Sequence, residues 1–131
     1  MIDILKKQFN EGVSYESYLQ QSQTKAESTE PVLFQEYYPL NLKRMKRIDK
    51  QIPKLNLDAV VKVKLNDYKM LVISEGWCGD AAQIVPFAAY FAKVNDIDLK
   101  ILYRDENKEL MEHFLTNGGL AIPVIIALNE N

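Results

Sequence analysis

Apolar residues recur at two different periods along this chain, and the change from one to the other divides it. Up to about residue 55 the spacing is helical. Ser14 is placed to cap a helix running through Gln23, with Tyr15, Tyr18 and Leu19 on one side and Glu16, Gln20 and Gln21 on the other. The polar, small-residue-rich stretch from Gln21 to Glu30 predicts a loop, after which Pro31 fits the first turn of a new helix. From Pro39 to Ile52, Leu42, Met45, Ile48 and Ile52 fall at helical intervals, with Lys43, Arg44, Lys46, Arg47 and Lys50 around them. This is a basic amphipathic helix, closed by Pro53. Leu57 to Leu65 satisfies both periods and is read as a helix under a sheet, and Asn66-Asp67 then turns the chain.

Beyond that turn, strands and helices alternate. Leu71, Val72 and Ile73 form a short apolar run that predicts a buried strand bounded by Gly76 and Gly79. The stretch from Ala81 to Val94 is apolar almost all round, so it predicts a helix buried on more than one side, with Pro86 removing one internal hydrogen bond and kinking it. Asn95-Asp96 ends this helix and Ile97 to Tyr103 is a second strand. A strand, helix, strand unit of this length implies a parallel pair with a right-handed crossover. Asp105 is placed to cap a further helix carrying Leu110, Met111, Phe114 and Leu115, which Asn117-Gly118-Gly119 stops. Val124 to Leu128 is a third strand, and Asn129-Glu130-Asn131 resembles the start of a hairpin turn.

Composition adds exclusions. A chain of 131 residues, 47% hydrophobic and 26% charged, suits one globular unit with a real core. A net charge of −2 and a pI near 5.4 give no reason to expect nucleic acid or an anionic membrane as a general partner. Met1 to Leu19 lacks an apolar core long enough for a signal peptide, and no run approaches a membrane span. The single cysteine rules out an intrachain disulfide and a cysteine-only zinc site, and it suits a reducing, cytoplasmic compartment. His113 is the lone histidine, so no metal site is expected.

That cysteine, Cys78, carries the candidate chemistry. It stands at a strand-to-helix junction, where the first main-chain N–H groups of a helix lack internal partners and, with the helix dipole, stabilise an anion such as a thiolate. Asp80 suits the helix start but repels a thiolate, and Glu75 adds to that repulsion if it points inward. Arg44 or Arg47 of the basic helix could reach the Cys78 side, supporting the thiolate or binding an anionic thiol.

Trp77-Cys78-Gly79-Asp80-Ala81, with Pro86 eight residues after the cysteine, resembles the active-site turn and first helix of the thioredoxin family, most closely bacterial proteins with a WCGDA turn and a helical N-terminal extension. Ile122-Pro123, just before Val124-Ile125-Ile126, resembles the family's cis-proline followed by a strand. The resemblance implies an α/β thioredoxin-like fold, a central sheet flanked by helices, over residues 56–131, with residues 1–55 as a helical extension packed on it. It also implies that the family's last strand and helix are missing. An incomplete sheet edge would then need cover by the N-terminal helices or by a partner, for example in a homodimer. In the family that proline lies against the reactive cysteine and shapes a substrate groove. Ala81 stands where the family has its second cysteine, and Val72 where it has a buried acid.

Two functions follow as expectations. In the first, Cys78 works as a monothiol: it attacks a disulfide-containing protein or an oxidised thiol, and a low-molecular-weight thiol resolves the adduct, with no cofactor. In the second, the chain is a non-catalytic module that holds an extended peptide in the groove beside Ile122-Pro123.

Overall fold

The computed structural model describes residues 1–56 and 67–129. The expected helix from Leu57 to Leu65, with Asn66, Glu130 and Asn131, lies outside these residues. Helices α1 (Ile2–Glu11), α2 (Tyr15–Glu27) and α3 (Tyr38–Gln51) come first. They are followed by β1 (Tyr68–Ser74), α4 (Gly79–Val94), β2 (Asp98–Tyr103), a short α5 (Lys108–Met111) and β3 (Val124–Asn129). Among the described residues no helix is long and apolar enough to cross a membrane.

The three strands form one sheet in the order β2-β1-β3. β1 runs parallel to β2, with Val72 opposite Ile101, and antiparallel to β3, with Val72 opposite Ile125. Alternation along β1 sends side chains to two cores. Leu71 and Ile73 face one containing Leu5 and Phe9 of α1, Leu102, Met111 and Leu128. Val72 faces the other, with Tyr18 of α2, Leu42 and Met45 of α3, and Ala81, Ala82 and Val85 of α4. Helices therefore cover both faces of the central strand, as an almost continuous apolar strand requires.

Several expectations change. The stretch from Gln21 to Glu30 is not a loop up to Glu27, because α2 continues through it. Its polar residues meet tertiary partners: Tyr103 Oη donates to Gln21 Oε1 at 2.6 Å, Lys25 Nζ lies 4.3 Å from the Tyr103 ring centroid, and Ser22 is buried. The start of α2 is as expected, with Ser14 Oγ accepting from Ser17 N at 3.1 Å. Pro31 does not open a helix; Pro39 takes that place in the first turn of α3. Asp105 does not cap α5. Its carboxylate pairs with Arg104 at 3.0 Å and its N–H is taken by Glu75, so Asn107 precedes the helix instead. Helix α5 is correspondingly short, continuing as a 3-10 turn, and leaves Leu115 exposed. Pro86 is buried inside α4, which runs on through it.

An unforeseen contact closes part of the outer edge of β2. Between α1 and α2, Val13 N donates to Ile101 O at 2.9 Å and Ile101 N to Val13 O at 2.7 Å, an isolated antiparallel bridge.

Because Met45 is fully buried against α4 and the sheet, truncating it to alanine is expected to cost about 2–5 kcal/mol. Urea unfolding of Met45→Ala should show that loss in a single transition. A loss under about 0.5 kcal/mol would mean that α3 is not part of the core.

Candidate functional site at Cys78

β1 ends at Ser74 and α4 begins at Gly79, so the turn between them delivers Cys78 to the rim of the sheet, half-buried and packed against both cores. Cys78 N donates to Glu75 O at 3.1 Å, which closes the turn. The sulfur occupies the N-cap of α4. Ala81 N donates to Sγ at 3.5 Å, and the thiol donates to Ile122 O at 3.9 Å. A helix of 16 residues thus aims a free main-chain donor and its positive end at the sulfur.

The structure brings Trp77, Gly79, Asp80, Ala81, Ile122 and Pro123 around this turn. The Ile122-Pro123 peptide is cis. Asp80 is exposed, in the first turn of α4. Ala81 is fully buried, its methyl group in the core. Val72 is equally sealed. Glu75 points inward, but its Oε2 accepts from Asp105 N at 3.1 Å. His113 is exposed on the short turn after α5.

Arg44 comes to the Cys78 turn, and Arg47 is exposed on the next turn of α3, where it lines a cavity together with Arg44. A Cβ built on Gly79 would lie 3.4 Å from Arg44 Nη1, so the guanidinium rests against the residue that follows Cys78. Asn41 holds it there. Its Oδ1 accepts from Arg44 Nη1 at 3.1 Å, while its Nδ2 donates to Trp77 O at 2.6 Å. Asn41 is buried at 2% exposure, and the sequence reading missed it. The available signal was a polar residue on the buried stripe of α3, between Tyr38 and Met45.

Two more residues were missed. The Phe34 ring lies 4.7 Å from that of Trp77, with the Phe34 backbone in the left-handed region at φ 58°. Arg104 sets its guanidinium 5.2 Å from the Trp77 ring centroid and donates to Leu120 O at 3.1 Å, tying the approach to Pro123 to the Cys78 turn.

Behind the turn is a polar layer. Tyr18 Oη and Ser74 Oγ share a hydrogen bond of 2.9 Å. Burial pushes the Tyr38 phenol up to about 12, and burial also raises Tyr18 and Tyr103, so these hydroxyls remain neutral. Burial raises the Glu75 carboxyl as well, against the opposing hydrogen bond from Asp105 N and the nearby Lys25 and Arg104 charges.

A family model described as Thioredoxin matches residues 15–131, reaching back to the start of α2. A crystal structure of a protein of unknown function from Pseudomonas aeruginosa superposes with a TM-score of 0.62 at 17% identity, covering 93% of this chain and 68% of that one. An HIV epitope-scaffold superposes with a TM-score of 0.60 at 15% identity, covering 95% and 70%. At such identities the likeness is one of fold alone. No match is found among curated proteins.

The raised Glu75 carboxyl gives a pH dependence with a definite sign. Below its unfolded value of 4.5 the group is protonated in both states and adds no pH slope. As pH rises from there through the higher folded-state value, the native state binds the extra proton and stability falls. Glu75→Gln keeps an acceptor for Asp105 N. In denaturant titrations from about pH 5 to about pH 8 it should gain stability on the wild type as pH rises; parallel curves would refute this.

Proposed function

The chain belongs to the thioredoxin family, and from that premise we propose that it is a thiol–disulfide exchange protein working through one sulfur, Cys78. The observation that supports this most is the N-cap geometry, in which the sulfur accepts from Ala81 N and is half-buried. The Cys78 thiolate attacks one sulfur of a partner disulfide. A Cys78–partner disulfide forms, the old bond breaks, and the other partner sulfur leaves as a thiolate that takes up a proton. An external thiolate then attacks Cys78 Sγ, releasing the partner, and a second one releases Cys78 as the external thiol becomes its own disulfide. The net result is two electrons delivered to the partner.

An approach to the sulfur between Trp77 and Ile122-Pro123 is supported by the Phe34 ring beside Trp77, by Ile122 O accepting from the thiol, and by Arg104 joining Trp77 to Leu120 O. Partners are disulfide-containing proteins or small thiols, and a one-cysteine chain of this kind works in a reducing compartment such as the cytoplasm. A second reading, a non-catalytic module that holds a peptide beside Ile122-Pro123, draws on the apolar sealing of both Val72 and Ala81.

The test uses mass spectrometry after exposure to a small symmetric disulfide. One half of the reagent should add at Cys78, come off with added monothiol, and be absent from Cys78→Ser. Without external thiol, a disulfide-reduction assay should stop at one adduct per chain. A thiol that stays unmodified in the folded protein, together with Cys78→Ser binding partners as well as wild type does, would favour the second reading.

A further inference from the structure

We infer that the thiol resolving the Cys78 adduct carries a carboxylate, which Lys43, Arg44 and Arg47 bind beside the sulfur; this rests on the monothiol reading above. Helix α3 carries Lys43, Arg44, Lys46, Arg47 and Lys50 in a chain whose net charge is −2. Its one carboxylate, Asp49, is engaged with Tyr15 Oη at 2.9 Å. Among the described residues, no carboxylate lies within ion-pair distance of Lys43, Arg44 or Arg47. A cavity of about 540 Å³ is lined by Leu40, Lys43, Arg44 and Arg47. Its size suits a small molecule of a few residues' bulk.

Arg44 joins this cavity to the chemistry. Its Nη1 lies against Gly79, and its bond to Asn41 fixes the fork before a ligand arrives, which lowers the ordering cost of binding. Asn41 in turn holds the Trp77 carbonyl, so the cation and the sulfur share one rigid connection through the turn. A carboxylate on Arg44 and Arg47 would put a thiol a few bonds away within reach of Cys78, raising its local concentration. Asp80 is the opposing charge nearby; it is exposed at the start of α4, where solvent screens it.

The exchange itself is unchanged by this assignment. The carboxylate-bearing thiolate attacks Cys78 Sγ, the bond from Cys78 to the partner breaks, and the partner leaves as a thiolate. The carboxylate is not consumed.

The experiment loads Cys78 with dithiodipyridine and follows release of the coloured pyridinethione by mercaptopropionate, which carries a carboxylate, and by mercaptoethanol, which is neutral. In wild type the ratio of the carboxylate rate to the neutral rate should fall as salt is raised. In Arg44→Ala/Arg47→Ala that ratio should be about fivefold lower than in wild type. Arg47→Glu, a single exposed change, should lower it as well and guards against a folding defect in the double variant. A ratio equal to that of wild type in both variants overturns the inference. So does an equal fall of both rates, since the arginines would then act on the sulfur and not on the incoming thiol. Failure of wild type to load at all would instead sink the monothiol reading, and the inference with it.

Discussion

The burial of β1 on both faces is the constraint from which the rest of the molecule follows. A strand with one parallel and one antiparallel neighbour has its main-chain groups paired on both edges, so its side chains must find apolar cover above and below. Leu71 and Ile73 receive it from α1 and α5, and Val72 from α2, α3 and α4. That cover ends abruptly at Ser74, where the strand gives way to polar contacts, and Cys78 emerges at the seam where the two cores meet.

Helices α2 and α3 are structural parts of this site as well as of the core. Asn41 and Arg44 stand one turn apart on α3, and together they reach the main chain of Trp77 and the flank of Gly79. Tyr18 of α2 meets Ser74 at the strand's end, and Gly76 allows the close packing there: a Cβ at this position would press into Ser22 and Tyr38. The turn is therefore gripped from outside by side chains distant in sequence. Such grip keeps the Cys78 side chain oriented without any covalent link.

Much of this was legible from pattern alone. Strands β1, β2 and β3, the helix after Cys78, the Ser14 cap and the basic helix were all visible, because each is a run long enough for its period to dominate. Segments whose shape depends on a distant partner were not. The polar residues of α2 resemble a loop until Tyr103 is seen donating to Gln21, and Asp105 resembles a cap until Glu75 is found holding its N–H. At the site, the turn from Trp77 to Ala81 and the Ile122-Pro123 pair were recognisable as motifs. Phe34, Asn41 and Arg104 were not, since each acts on Trp77 or its carbonyl across 27 or more positions of sequence, with no local periodicity to betray it. Arg44 and Arg47 share one charge pattern, and the structure sets them apart only by contact: Arg44 lies against Gly79, while Arg47 lines the cavity beside it.

The donor to Cys78 Sγ is the main-chain N–H of residue 81, and every amino acid except proline supplies that group. The donor to the Cys78 sulfur is thus independent of side chain 81, whose size is limited instead by the core it is sealed in. Positions 78 and 81 are thus separable on this scaffold: the main chain of residue 81 serves the sulfur while its side chain serves the core, so each can change without the other being rebuilt.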